Sequence, residues 1–413
     1  MKFNRKVHLK NISRIRIPED RDLDHCLRLN RNERVADWHK GFLREVFDSK
    51  PDYLLSVYPN SDSIYSKLSE YLEIDTDQIL LSSGMDGAFK SIWETVTEPG
   101  DRIGVPGPTY AMYYVYNKIF ETQLTQINYD SYTLKLKWDE LDTFIESKPD
   151  ILFIPNPNQP VEDPLSINQI AEISRRCSEN GTLLVIDEAY YMFGCDTAIG
   201  LVKDYDNLVI LRTFSKGFGV PGIRLGYMVS NAENIAHFSK TRFAYESNSL
   251  SDAVGEYLLD NTDIVNDYVR KVHEGRHYIK SELLKRKISA IIRTDDQKVA
   301  EQAMLAAVVG GFRILEFTLT TPGALNLITQ FRENEDLIVG AGTVMSPTNV
   351  QEAVEAGAQF LVSPIYNEEV IRESGRLDTV SIPGTYTATE METAHQAGAD
   401  LVKLFPAPEN VAE

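Results

Sequence analysis

Cysteine is scarce in this chain: Cys26, Cys177 and Cys195 are the three among 413 residues. They are too few and too scattered for a disulfide framework or a thiolate metal site. A reducing cytoplasm is therefore the simplest expected setting. Long apolar runs are missing as well, since nothing approaches the roughly 18 residues of a membrane span. The N-terminus, Met-Lys-Phe-Asn-Arg-Lys-Val-His, has no apolar segment of signal-peptide length. The expectation is a soluble, unprocessed chain without a membrane partner. Basic residues are the minority, 42 Lys and Arg against 61 Asp and Glu, for a net charge of -19. That balance argues against nucleic acid as a partner, because phosphate-backbone binding needs a basic surface. An anionic ligand would have to find a local pocket.

The length exceeds the usual size of a single core, so two domains are expected, and 43% hydrophobic residues suffice to pack them. From about Leu54 to Ser230, short apolar runs alternate with helical stretches, which reads as an α/β domain with a buried, mostly parallel sheet. The clearest strands are Ile151–Pro155, Leu183–Ile186, Leu208–Leu211 and Leu225–Val229. Residues 231–287 read as helical, with a charged face on Val265–Lys287. Beyond Lys287 strand and helix alternate at roughly twenty-residue spacing. Six strands are expected there: Ile288–Ile292, Ile314–Leu319, Leu337–Val339, Phe360–Val362, Val380–Ile382 and Leu401–Phe405. The pattern resembles part of a (β/α)8 barrel, which in full has eight strands. The expected domains are thus 1–287 and 288–413. The junction near Arg286 lacks the Pro, Gly and Ser of a flexible linker.

Ligands in open α/β sheets bind beyond the carboxyl ends of strands, where Asn156, Asp187, Ser215 and Lys216 stand. Lys216 lies eight positions before Arg224 in the Gly-rich segment Thr213–Tyr227. That suits a Schiff-base lysine beside an arginine that grips a phosphate. Ser82-Ser-Gly-Met-Asp-Gly87 follows a strand and opens a helix, where N–H groups and the helix dipole receive anions. Tyr110, in Pro106-Gly-Pro-Thr-Tyr110, offers a ring to stack on a planar ligand. Asp187 and Tyr190 can pair with a protonated ring nitrogen and bond a phenolate oxygen, the needs of pyridoxal 5'-phosphate. Each piece alone has a plainer reading: a helix cap, core packing, a surface acid, a solvated lysine. Their joint occurrence, each after an apolar strand, favours the cofactor.

These motifs make residues 27–285 similar to a fold-type I aminotransferase, closest in pattern to the histidinol-phosphate aminotransferase group. The resemblance implies Lys216 as the lysine that bonds the cofactor and then shuttles a proton. It implies Thr213, Ser215 and Arg224 with Gly84, Met85 and Asp86 around the phosphate, and Tyr110 on the ring. Asp187 would lie at the ring nitrogen and Tyr190 at the ring oxygen. Gln159, in Asn156-Pro-Asn-Gln-Pro160, stands where the family carries an asparagine to the same oxygen. Tyr58 matches a tyrosine that reaches the partner subunit's phosphate, which implies a homodimer. Leu29-Asn-Arg-Asn-Glu33 resembles a segment that covers the substrate. Small-molecule amino donors and 2-oxo acid acceptors are the implied partners. The family's C-terminal small domain stops after its first helices.

In Ile314–Thr321, alternation puts Glu316, Thr318 and Thr320 on one face and Leu315, Phe317 and Leu319 on the other. The apolar face packs on helices, so Glu316 points inward, and the same logic turns Lys403 inward with Leu401 and Phe405. An inward carboxylate and lysine suit Schiff-base chemistry on a keto acid; a structural ion pair is the alternative. Gly340-Ala-Gly-Thr-Val344, Ser363-Pro364, Ile382-Pro-Gly-Thr385 and Lys403-Leu-Phe-Pro-Ala407 resemble 2-keto-3-deoxy-6-phosphogluconate aldolase over 288–413. This implies Lys403 as imine lysine, Glu316 as general acid/base, and Arg293, Thr343 and Pro364 near substrate. Thr320 stands where many members have an arginine. Three readings follow: a PLP-dependent aminotransferase first, an aldolase acting through Lys403 second, and third a truncated or chimeric fusion that binds the cofactor without turnover.

Overall fold

A computed structural model of the chain describes residues 6–12, 31–130, 133–286 and 288–405. Cys26, Leu29, Asn30, Lys287 and the end of the motif at Pro406 and Ala407 lie outside the described residues. The chain divides into two compact units, Met1–His273 and Glu274–Glu413. The division falls within the helix Thr262–Arg286, which occupies the stretch where no linker composition was found.

The first unit is built on seven strands: β1 (Ile79–Ser83), β2 (Arg102–Gly107), β3 (Gln123–Asn128), β4 (Ile151–Pro155), β5 (Leu183–Asp187), β6 (Leu208–Thr213) and β7 (Leu225–Val229). Their spatial order is β1-β7-β6-β5-β4-β2-β3. The strands from β6 to β3 pair in parallel, while β7 runs antiparallel to both of its neighbours. The long apolar runs of β4, β5 and β6 follow from burial on both faces. Leu152, Ile154, Leu184, Ile186, Leu208 and Ile210 enter one core; Ile151, Phe153, Val185, Val209 and Leu211 enter the other. Helices cover each face, and that between β4 and β5, Ile167–Asn180, starts on a Ser166–Gln169 capping box and ends at the left-handed Gly181.

Gly226 in β7 has a particular purpose. A Cβ there would lie 2.7 Å from the carbonyl carbon of Gly84 and 2.9 Å from the Met85 nitrogen. Its absence lets the first turn of the helix Gly84–Val96 rest directly on the sheet.

The second unit holds β8 (Ser289–Ile292), β9 (Ile314–Thr318), β10 (Ile338–Gly342), β11 (Phe360–Ser363), β12 (Val380–Thr385) and β13 (Lys403–Leu404), all six expected strands with small shifts at their ends. They pair in sequence order, all parallel, as a six-stranded partial barrel. Leu315, Phe317, Val339, Ala341 and Leu361 pack on the helices. The register aligns Ile291, Glu316, Gly340, Phe360 and Val380 across the opposite face. Ser346 and Thr387 cap their helices, Thr387 in a capping box with Glu390. Among the described residues no helix is long and apolar enough to cross a membrane.

Candidate functional sites

At the carboxyl ends of β4, β5 and β6, a cavity of about 530 Å³ is lined by residues from several distant segments. Met85, Asp86, Tyr110, Gln159, Asp187, Tyr190, Thr213, Ser215, Lys216 and Arg224 all face it. Gly84 adjoins it beneath Arg224. Its φ is +65°, and a Cβ there would come 2.7 Å from the guanidinium. Tyr58 does not line the cavity of its own chain; it is 76% exposed and stacks on Tyr245 with ring centroids 4.5 Å apart. Asn156, expected at a strand end facing ligand, is fully buried. It bonds the main chain of Leu165 in both directions, at 2.8 and 3.2 Å, and so braces the loop that carries Gln159.

Asp187 closes β5 at 6% exposure, not as the cap or surface acid that its neighbours in sequence allowed. Its Oδ2 accepts from the Tyr113 hydroxyl at 2.9 Å and its Oδ1 from the Ala189 N–H at 3.0 Å. Burial raises its pKa to about 6, and those two hydrogen bonds work against the rise. Lys216 stands in the turn after β6, its Nζ donating to the carbonyls of Arg31 at 3.1 Å and Asn32 at 2.9 Å. Burial pushes its pKa down, Glu33 opposes this, and Arg224 adds to it. The Asn32 amide donates to Tyr190 Oη at 3.1 Å and to Gln159 Oε1 at 3.3 Å, tying together the two side chains meant for one ring oxygen.

Asp86, in the first turn of its helix, accepts from Tyr110 Oη at 3.0 Å and from Arg224 at 3.2 Å. The Ser83 side chain does not cap that turn. Thr213 Oγ1 donates to Ser215 Oγ at 3.0 Å and accepts from the Ser215 N–H at 3.1 Å. This end of the cavity gathers a guanidinium, two hydroxyls and a helix N-terminus, the donors that a phosphate takes.

Two features escaped the sequence reading. Tyr113 lies in a tyrosine-rich run, and its helical spacing from Tyr116, three positions on in the helix Met112–Phe120, is the signal that could have put both on the buried face. Glu188 and Arg212, next in sequence to Asp187 and Thr213, form a buried ion pair at 2.9 Å. Thr197 Oγ1 and the Ala198 N–H also donate to Glu188, at 3.0 and 2.5 Å. The Arg212 guanidinium lies 3.7 Å from the Tyr191 ring centroid.

In the second unit Glu316 is 4% exposed, and a Cβ at Gly342 would collide with its carboxylate. Burial raises its pKa, while the charges of Lys403 and Arg293 pull it back. Arg293 donates to Thr343 Oγ1 at 3.2 Å, so Glu316, Lys403, Arg293 and Thr343 form one electrostatic group. Pro364 is half-buried at the end of β11, its carbonyl against Gly384. Thr320 lies beyond β9 and is exposed. Leu401 and Phe405, expected to turn inward with Lys403, are 59% and 45% exposed. Among the described residues no cluster of three metal-ligating side chains occurs.

In the first unit an open α/β sheet thus brings its strand ends together on one lysine, one buried carboxylate and an anion cradle. The family model for aminotransferase class I and II matches residues 29–299, and the chain belongs to that family. Residues 279–411 match the family of KDPG and KHG aldolases. A histidinol-phosphate aminotransferase of Clostridium novyi is 27% identical over 279 residues, 67% of this chain and 77% of that protein. One from Ruminiclostridium cellulolyticum is 30% identical over 239 residues, 56% of this chain and 65% of that protein. The crystal structure of histidinol-phosphate aminotransferase from Sinorhizobium meliloti in complex with pyridoxal-5'-phosphate has the same fold, with a TM-score of 0.55 at 20% identity over 60% of this chain and 67% of that one.

Proposed function

We propose that this chain uses pyridoxal 5'-phosphate, held in the cavity around Lys216, to move an amino group from an amino acid or amino-phosphate donor to a 2-oxo acid. The observation that carries the proposal is the convergence of Lys216, Asp187, Tyr190 and Arg224 on one cavity of about 530 Å³. The residues present fit the group: the glycine cradle at Gly84 leaves space beside Arg224, and Asp187 offers an acceptor-only partner suited to a protonated ring nitrogen.

When bound, the cofactor supplies an electrophilic aldehyde carbon and a ring that takes up electrons. Lys216 provides the amine. Its burial disfavours the charged form, so Nζ is prepared both to bond the aldehyde and to accept or return a proton. Asp187 holds the ring nitrogen's proton through charge. Tyr190 and Gln159 orient the ring oxygen, and Tyr110 covers the ring face. Arg224, Thr213, Ser215 and the first turn at Gly84–Asp86 hold the phosphate, for which the carboxylate of Asp86 must give up its present claim on Arg224. Tyr58, absent from its own cavity, serves the phosphate of a second subunit in a homodimer.

Purified protein mixed with the cofactor should show a visible absorption band that borohydride bleaches, and Lys216→Ala should lack it. Sedimentation should give the mass of a dimer. A folded wild-type protein without the band would refute the proposal, and a monomer would refute the role of Tyr58.

The second unit supports a separate reading, favoured by the buried Glu316 in the field of Lys403: Schiff-base cleavage or formation of a 2-oxo acid aldol, with Lys403 as nucleophile and Glu316 moving protons. Borohydride trapping with pyruvate should label Lys403. A folded protein with an unlabelled Lys403 would refute it, and failure at both lysines would leave the reading of a fusion without turnover.

A further inference from the structure

Among the described residues Asp187 has one side-chain donor, and it belongs to a residue outside the cavity lining. The Tyr113 hydroxyl reaches Asp187 Oδ2 at 2.9 Å from the helix Met112–Phe120. Tyr113 is 1% exposed, its ring wedged against Phe89 and Phe153 at centroid distances of 4.9 and 5.2 Å. That clamp fixes the phenol's direction. Burial, and then the charge of Asp187, push its pKa well above the ordinary value, so the phenol is always the donor. With Oδ1 held by the Ala189 N–H at 3.0 Å, both carboxylate oxygens have a fixed partner and the plane of the group is set.

We propose that Tyr113 is a positioning residue of the cofactor site, aiming the Asp187 carboxylate and keeping it ionised, so that a protonated heteroaromatic nitrogen meets a preformed anionic acceptor. The ring of Tyr113 serves packing; its hydroxyl serves this contact. A charged carboxylate at low solvent exposure otherwise favours its neutral form, and a neutral Asp187 would leave the ring nitrogen without a counter-charge. The charged and titratable groups acting in this neighbourhood are Asp86 and Glu188, which raise the pKa of Asp187, and Lys216 and Tyr190, which feel its charge. None of these donates a hydrogen bond to Asp187 as the phenol does. The inference rests on the cofactor reading given above.

The test is Tyr113→Phe, which keeps the ring and removes only the hydroxyl. In cofactor-free protein labelled with carbon-13 aspartate, the Asp187 resonance, assigned by its loss in Asp187→Asn, should titrate at about pH 6 in the wild type. In Tyr113→Phe its midpoint should rise by about one to two pH units, the worth of one hydrogen bond to a charged group. Titration with pyridoxal 5'-phosphate should show binding at least about tenfold weaker, and this loss should vanish in an Asp187→Asn background. A fluorinated tyrosine at 113, a stronger donor, should move the midpoint down and covers the case in which the phenylalanine variant folds poorly. An unchanged midpoint and an unchanged affinity in a folded variant would overturn the inference. Wild type that binds no cofactor, while Tyr113→Phe still shifts Asp187, would instead refute the cofactor reading and keep the hydrogen bond.

Discussion

Arg212→Met should destabilise the first unit far more than a surface substitution would. Arg212 is 3% exposed and its partner Glu188 is fully buried, so removing the guanidinium strands a carboxylate in a low-dielectric interior. Breaking such a pair typically costs about 3–5 kcal/mol. Glu188 keeps two donors, Thr197 Oγ1 and the Ala198 N–H, which sets the expectation at the lower end, about 3 kcal/mol. Loss of the guanidinium over Tyr191 adds up to about 2 kcal/mol. Urea unfolding followed by tryptophan fluorescence measures this cleanly. Trp38, Trp93 and Trp138 are the chain's three tryptophans and all fall within Met1–His273. Replacing both partners, Arg212→Met with Glu188→Leu, should recover much of the loss, since apolar replacement of a buried pair is often neutral or better. Arg212→Lys should stay impaired, because an ammonium cannot both bridge Glu188 and Thr197 and lie flat on a ring. A loss below about 1 kcal/mol in Arg212→Met, or a double variant as weak as the sum of its singles, would refute the reasoning.

Asp187→Asn should stabilise the cofactor-free protein at neutral pH while weakening cofactor binding. The folded pKa of about 6 lies above the ordinary 3.8, so the native state binds its proton more tightly than the unfolded chain. Wild-type stability from this group is greatest below about pH 3.8 and declines as pH rises through about 6. The advantage of Asn therefore grows across that window to at most about 3 kcal/mol and is absent at pH 4 and below; thermal melts at pH 4 and 7.5 check the sign. In the second unit, Glu316→Gln should slow borohydride trapping of pyruvate at Lys403 by about a hundredfold, as removal of a general acid/base does, and trapping at the wild-type rate would refute that role.

The strands of both units were legible because their signal is local. β4 is apolar throughout, and β5 and β6 are apolar up to Asp187 and Arg212, since helices cover both faces, whereas Ile314–Thr318 turns only Leu315 and Phe317 to the helices. Asp187, Tyr190 and Lys216 were legible because they follow the ends of apolar strands, and Arg224 because it directly precedes one. The contacts between these segments were not legible. Nothing in the run Tyr110–Tyr116 says that the hydroxyl of Tyr113 ends on Asp187, 74 residues away, since that depends on how the helix lies on the sheet. Nor does sequence distinguish Asn156, which braces a loop, from Gln159, which faces the cavity. Nor does sequence pair Glu188 with Arg212, 24 residues on, which their joint burial alone makes visible.

The two lysines differ in their surroundings more than in their neighbours' chemistry, and that difference sets what each can do. Lys216 sits in a walled cavity, its amine held between two carbonyls and its charge disfavoured by burial. Asp187 is buried there while Arg224 is 49% exposed, so solvent screens the carboxylate's action on a bound ligand less than the guanidinium's. Lys403 faces the inner side of a sheet whose flanking Leu401 and Phe405 are 59% and 45% exposed. Along the same face Ile291 and Val380 are 51% and 39% exposed. The charge of Lys403 nonetheless acts on the buried Glu316. Binding at Lys216 demands that Asp86 release Arg224 and that the Lys216 amine leave the carbonyls of Arg31 and Asn32.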